Sequence, residues 1–169
     1  MFATSISRGR FLRGDFGGRR RPIRPPWALA EDEFIERCTR CADCIGACPT
    51  RIVAKGPGGF PHIDFSRGEC TFCGRCAKAC HAGALRIEAE GTPWRLVATI
   101  ADRCLALNRI VCRSCGDACD AHAIRFGARA GGVAVPEMAP ERCSGCGACF
   151  GICPVNAIEI SEPTQPMPA

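Results

Sequence analysis

Apolar and polar residues alternate along this chain in short runs set between glycines and prolines. Ala84-Leu85-Arg86-Ile87, Ala123-Ile124-Arg125-Phe126 and Ala157-Ile158-Glu159-Ile160 share one pattern. Such period-two alternation predicts a short strand with one face buried. Ile52-Val53 occupies the equivalent place near the front of the chain. Gly58-Gly59 separates Arg51-Ile52-Val53-Ala54 from Phe60-Pro61-His62-Ile63, and Gly131-Gly132 separates Ala123-Ile124-Arg125-Phe126 from Val133-Ala134-Val135. A double glycine between apolar runs predicts a turn joining paired strands. Segments such as Ile45-Gly46-Ala47-Cys48 suit a single helical turn. Pro26-Trp27-Ala28-Leu29 and Pro93-Trp94-Arg95-Leu96 lead into these runs, and Trp27 and Trp94 are expected to anchor each half. The body reads as one unit repeated, at residues 27–91 and 92–162, after an arm at 1–26 and before a tail at 163–169. The expected fold class is α+β, each unit holding paired strands and two short helices.

This pattern leaves a thin interior. Leu, Ile, Val and Phe number 34 of 169 residues, at the edge of the range in which chains stay disordered. Sixteen cysteines must then supply covalent or coordinate staples. Disulfides need an oxidising compartment, and export to one uses a signal with an apolar stretch of roughly 7–15 residues. The longest apolar run in the first forty residues is Trp27-Ala28-Leu29-Ala30, and no segment reaches the length of a membrane span. A cytoplasmic protein with reduced, metal-binding thiols is expected.

The cysteines fall into four groups: Cys38, Cys41, Cys44 and Cys48; Cys70, Cys73, Cys76 and Cys80; Cys104, Cys112, Cys115 and Cys119; Cys143, Cys146, Cys149 and Cys153. The first, second and fourth share the spacing C-x2-C-x2-C-x3-C, and the third reads C-x7-C-x2-C-x3-C. Three thiolates at two-residue intervals let one tight loop wrap a single inorganic centre, while the fourth leaves along a helix. Zinc sites combine two ligands from one C-x2-C knuckle with two from a distant one, and have little use for a third. Iron–sulfur clusters do use it, and C-x2-C-x2-C-x3-C-P is the bacterial ferredoxin run. Pro49 and Pro154 complete it in the first and fourth groups, whereas His81 and Asp120 stand there in the second and third.

On these motifs the body resembles two bacterial-type two-cluster [4Fe–4S] ferredoxin units in tandem. In that family the fourth cysteine of one run ligates the other cluster. The resemblance implies one set of Cys38, Cys41, Cys44 and Cys80, and a second of Cys70, Cys73, Cys76 and Cys48. It implies a third of Cys104, Cys112, Cys115 and Cys153, and a fourth of Cys143, Cys146, Cys149 and Cys119. Cluster assembly and folding would then be coupled. Four [4Fe–4S] clusters are expected; if Cys104 is instead a core cysteine, its site holds a three-iron or labile cluster. His62, His81 and His122 are read as surface or packing residues, and Phe72 and Phe150 as shields for neighbouring sulfurs. With no paired carboxylates, nucleophile–base pair or phosphate loop in the sequence, an enzyme active site is not expected.

Charge adds one feature. Residues 1–26 hold Arg8, Arg10, Arg13, Arg19, Arg20, Arg21 and Arg24 against Asp15, a net +6, while residues 27–169 sum to −1. Four thiolates around a core of about +2 bring each cluster near −2, so a loaded body would approach about −9. A flexible basic arm would precede an acidic body. Nucleic acid is not an expected partner, because the arm lacks interleaved aromatics and the body would repel phosphate. Ser7-Arg8-Gly9-Arg10-Phe11-Leu12-Arg13 is a near miss to the twin-arginine export motif, broken by Gly9 and followed by no apolar segment. Export is therefore not expected.

The arm, Arg24-Pro25-Pro26-Trp27-Ala28-Leu29, Phe65-Ser66-Arg67-Gly68-Glu69-Cys70-Thr71-Phe72-Cys73 and Val111-Cys112-Arg113-Ser114-Cys115-Gly116-Asp117-Ala118-Cys119 carry a second likeness. Together they resemble the ferredoxin-type accessory proteins of periplasmic nitrate reductase systems. That resemblance implies a cytoplasmic protein that binds the precursor of the molybdenum-containing catalytic subunit. It would help insert or reduce that subunit's [4Fe–4S] cluster before twin-arginine export, with redox proteins as further partners. The alternatives are a general polyferredoxin carrier and an electron-transfer subunit of a larger redox complex.

Overall fold

The computed structural model describes residues 22–88, 92–127 and 132–163. The arginines and export-like motif of 1–21, Gly131 and the tail from 164 lie outside the described residues.

The chain folds into a small mixed helix–strand structure. Helix α1, Glu31–Arg37, opens it. Its first turn carries Glu31, Asp32 and Glu33 and its last turn Arg37, the charge order that suits the helix dipole. Arg37 also meets Glu33 at 2.9 Å one turn away. Phe34 and Ile35 are its only apolar residues, so no periodic stripe announces this helix in the sequence. Four single helical turns follow at the cysteine groups: α2 (Asp43–Gly46), α3 (Arg75–Lys78), α4 (Ser114–Asp117) and α5 (Ala148–Gly151).

The first expected hairpin forms, and the second forms with its return strand displaced. That strand shares only Val135 with the expected run Val133-Ala134-Val135, because Ile124 pairs as far along as Met138. β1 (Val53–Lys55) pairs antiparallel with β2 (Pro61–Ile63), with Val53 opposite Ile63. Gly58 and Gly59, at φ 66° and 81°, turn the chain between them. β4 (Ile124–Gly127) pairs with β5 (Val135–Met138), with Ile124 opposite Met138. In the second half, β3 (Val97–Ile100) pairs with β6 (Ile158–Ser161), with Ile100 opposite Ile158.

Among the described residues the first half keeps a single bridge at the corresponding place, Ala28 to Leu85, and Ala84-Leu85-Arg86-Ile87 makes no regular strand. Pro25 and Pro26 precede Ala28, and lacking N–H groups they cannot extend the ladder. Trp27, at φ 62°, turns away from it. This register also corrects the tryptophan repeat. Leu85 and Ile158 follow their groups' last cysteines at equal distance, yet Leu85's partner sits next to Trp27 while Ile158's partner, Ile100, lies six residues past Trp94. The two tryptophans are not equivalent.

One hydrophobic core runs through both halves, including Phe34, Ile52, Ile63, Leu85, Ile124 and Ile158. The third cysteine of every group, Cys44, Cys76, Cys115 and Cys149, lies inside it at 8% exposure. The stretch 22–26, counted with the arm from sequence, belongs to this body. Pro25 and Pro26 are fully buried, and Ile63 N–H donates to the Ile23 carbonyl at 2.8 Å. Arg24 donates twice to Glu31, at 2.9 and 2.7 Å, and once to the Pro61 carbonyl at 3.0 Å. Its guanidinium lies 4.9 Å from the centre of the Phe34 ring.

The halves meet through aromatic rings. Phe65 contacts Trp94 (6.0 Å between centres) and Phe150 (6.2 Å), and Phe72 contacts Trp94 edge-on at 5.6 Å. Phe65 seats against Gly147, where any added methyl group would overlap the ring.

Candidate metal centres

Each cysteine loop is shaped by left-handed residues. In the first group Arg40 and Ala42, flanking Cys41, have φ of 60° and 71°. Phe72 and Gly74 flank Cys73 at 52° and 71°, and Gly145 and Gly147 flank Cys146 at 70° and 90°. Two such reversals around the middle cysteine curl the backbone into a tight loop. Non-glycine residues enter this region at a cost, which explains glycine at three of the six places. The third group departs from the rule: Arg113, just after Cys112, has φ −135°. Its seven-residue insertion closes instead with Arg109 at φ 64° and an Asn108 amide that donates to the Cys104 and Asp102 carbonyls, at 2.9 and 2.7 Å.

A second device recurs four times without exception. Three residues past each last cysteine stands a left-handed residue: Arg51 (φ 58°), Gly83 (67°), His122 (50°) and Asn156 (51°). Each donates its N–H back to that cysteine's carbonyl, at 3.2, 3.1, 2.8 and 3.2 Å. The next residue, Ile52, Ala84, Ala123 or Ala157, is only 1% exposed. This turn aims main-chain N–H groups at the sulfur: Leu85 to Cys80 at 3.4 Å, Ala123 to Cys119 at 3.3 Å and Ala157 to Cys153 at 3.1 Å. The Ala-x-x-x pattern read as a strand start is therefore also a sulfur-binding turn.

All sixteen cysteines are free thiols. The four cysteines of one run are not the four that share a neighbourhood. Burial, then the charges of Cys38, Cys76, Cys80 and Cys41, push the Cys44 thiol up to about 12. Cys76 rises to about 11 through burial, with Cys70, Cys48 and Cys73 as its charged neighbours. Cys115 rises to about 11 through burial and then Cys104, Cys112 and Cys153, while Cys149 reaches about 12 through burial and then Cys146, Cys143, Cys115 and Cys119. Cys48 alone moves down: burial opposes it, but the Thr50 hydroxyl and the N–H groups of Val53, Ile52 and Thr50 outweigh that cost.

Two of these neighbourhoods line open recesses. One is bounded by Cys48, Cys70, Cys73 and Cys76 with Ile52 and Ile63. The other is bounded by Cys119, Cys143, Cys146 and Cys149 with Ile124 and Ile160. Among the described residues no three Cys, His, Asp or Glu side chains converge on a position for one ion. A single zinc holds each sulfur at about 2.3 Å and draws four of them close together, whereas a four-iron cube accepts thiolates at its corners, farther apart. Soft thiolates, the recesses they line and N–H donors aimed at sulfur all suit an iron–sulfur cluster.

The pattern of the 4Fe-4S dicluster domain matches residues 37–84 and 108–157. The chain is 41% identical over 152 residues to the ferredoxin-type protein NapF of Escherichia coli (strain K12), covering 90% of this chain and 92% of that protein. It is 43% identical over 175 residues to the ferredoxin-type protein NapF of Haemophilus influenzae, covering 98% and 99%. The chain belongs to the NapF family of ferredoxin-type proteins. The ferredoxin-type protein NapG of Escherichia coli (strain K12) is 30% identical over 151 residues, 78% of this chain and 65% of that protein.

The second dicluster match begins at 108, so Cys104 stands outside the common pattern. The fold nevertheless buries it beside Ala106 and Ala157 and brings it among the charges around Cys115. Other residues singled out in the sequence resolve differently. His81 and His122 are exposed, and His62 lies 3.2 Å from the Ala54 carbonyl through Nδ1. Phe72 and Phe150 join the aromatic seam between the halves. Sequence reasoning missed Phe65, whose partners Trp94, Gly147 and Phe150 are all remote in the chain. No helix among the described residues is long and apolar enough to cross a membrane.

Proposed function

We propose that this chain is a four-cluster iron–sulfur accessory protein, built as two tandem two-cluster units, that acts on the periplasmic nitrate reductase catalytic subunit. The first part is supported by the thiols that bear on each buried third cysteine: Cys38, Cys41 and Cys80 with Cys76 on Cys44, Cys70, Cys73 and Cys48 on Cys76, Cys104, Cys112 and Cys153 on Cys115, and Cys143, Cys146 and Cys119 with Cys115 on Cys149. Cys38, Cys41, Cys44 and Cys80 hold one cluster, and Cys70, Cys73, Cys76 and Cys48 its neighbour. Cys104, Cys112, Cys115 and Cys153 hold a third, and Cys143, Cys146, Cys149 and Cys119 the fourth. When bound, each cluster supplies one-electron transfer at a potential set by its surroundings.

The chain's own residues set those surroundings. The buried third cysteines keep one side of each site away from water. The left-handed turns hold N–H donors on the fourth sulfur, which favours the more negative, reduced state. The protein carries electrons and converts no substrate of its own.

The second part rests on the likeness to NapF. The protein works in the cytoplasm on the precursor of the molybdenum-containing subunit, supplying electrons or a cluster before twin-arginine export. The arginines of 1–21 assist docking. Anaerobic iron and sulfide analysis tests the sites: about sixteen irons per chain is expected, about twelve marks the Cys104 set as incomplete, and zinc without sulfide ends the reading. Capture of the precursor by full-length protein, compared with protein lacking residues 1–21, tests the role. No binding by the full chain, or equal reduction of unrelated acceptors, would leave a general electron carrier.

A further inference from the structure

The fold brings two ligand residues from opposite halves into main-chain contact: Cys70 N–H donates to the Cys146 carbonyl at 2.8 Å. Cys146 is also among the charges that bear on Cys70, after burial and beside Cys48 and Cys73. The same junction is clamped by Trp27 N–H to the Pro93 carbonyl at 2.7 Å and by Trp94 Nε1–H to the Ser144 carbonyl at 2.9 Å. Phe65, 5% exposed, fills the remaining gap against Gly147.

Neighbour relations extend the order outward. Cys76, of the Cys70 set, stands among the charges around Cys44. Cys115, of the Cys104 set, stands among those around Cys149. The sets therefore follow one another in space as Cys38, Cys70, Cys143 and Cys104, which is not their order along the chain.

We propose that electrons cross between the halves at the Cys70–Cys146 contact, so that the four sets form one continuous conductor with the Cys38 and Cys104 sets at its ends. In the crossing, one electron would leave the cluster that Cys70, Cys73, Cys76 and Cys48 would hold, oxidising it. It would arrive at the cluster that Cys143, Cys146, Cys149 and Cys119 would hold, reducing it. No bond forms or breaks, no proton moves, and the reverse passage is equally allowed. A low-potential one-electron donor protein feeds one end, and a cluster-bearing acceptor drains the other.

This inference rests on the cluster reading, and its test separates the two. Anaerobic protein would be reduced with dithionite and its iron spins compared in two double variants. Cys41→Ala with Cys112→Ala removes the end sets and leaves the middle pair; Cys73→Ala with Cys146→Ala leaves only the ends. With about eight irons retained in each, the middle-pair variant should show spin–spin broadening and fast relaxation, and the end-pair variant isolated, slowly relaxing signals. Isolated spins in the middle-pair variant would overturn the crossing. If either variant loses its iron, the wild type decides: one interacting set of four spins supports the crossing, and two independent pairs overturn it. A wild type without iron overturns the reading beneath it.

Discussion

Phe65→Ala would empty the socket on which the docking of the halves depends. The ring is 5% exposed and touches Trp94 and Phe150, and Gly147 opposite has no side chain with which to refill the space. Removing a buried phenylalanine costs roughly 3–5 kcal/mol, more where the site cannot collapse, and that range includes the two ring pairs at about 0.5–1.5 kcal/mol each. A loss near 4 kcal/mol is therefore expected. Because cluster loss makes unfolding irreversible, the effect is best read as a rate. At about 1.36 kcal/mol per tenfold, cluster release in guanidinium should accelerate by up to roughly a thousandfold, less any share that falls on folding. The assay follows the visible absorption of anaerobic protein alongside tryptophan fluorescence, which reports on Trp94 within the seam. Phe72→Ala, at a half-buried ring with one contact in the seam, should cost much less. If Phe65→Ala accelerated release by less than about fivefold, near 1 kcal/mol, Phe65 would not be the clamp.

Further outcomes are expected. Arg24→Ala should destabilise the first half by about 2–3 kcal/mol, since it breaks charge-assisted hydrogen bonds to Glu31 and leaves the Pro61 carbonyl without its partner; denaturation of Arg24→Lys should recover less than half of that, because lysine lacks the planar fork. Cys153→Ser should expose Cys112 and Cys115 to alkylation while Cys143, Cys146 and Cys149 stay protected, as the crossed sets require, and the opposite labelling would reverse the pairing. Cluster insertion should release protons and strengthen with pH, because Cys44, Cys76, Cys115 and Cys149 sit raised at about 11–12 from 9.0. A raised thiol in the folded iron-free protein contributes stability that is fully present below pH 9 and is lost as pH rises through 11–12. Pre-folded iron-free protein should accordingly melt at lower temperature above about pH 9, and reconstitution yield should rise between about pH 6.5 and 8.5.

Local spacing was legible without coordinates. C-x2-C-x2-C-x3-C forces a tight loop followed by a helical turn, and the single turns at Asp43, Arg75, Ser114 and Ala148 follow from it. The first hairpin was legible too, and the second in its outgoing strand, since glycine pairs and alternating residues act within a few positions of one another; its return strand at Val135–Met138 was not. Spacing alone did not state the site's long-range features. That Cys80 sits by Cys44 was expected only from the resemblance to two-cluster ferredoxins, and that Cys70 meets Cys146 was not expected at all, because it depends on how segments far apart in sequence pack. Trp27 and Trp94 show the limit most plainly. Their flanking motifs match, but proline and a left-handed turn confine one to a single bridge, while the other stands ahead of a four-residue ladder and packs into the seam. Composition and spacing determined what this chain can hold; tertiary packing decided which thiols share a neighbourhood and where the two halves touch, because burial and close contact are properties of the folded surface and not of neighbours along the chain.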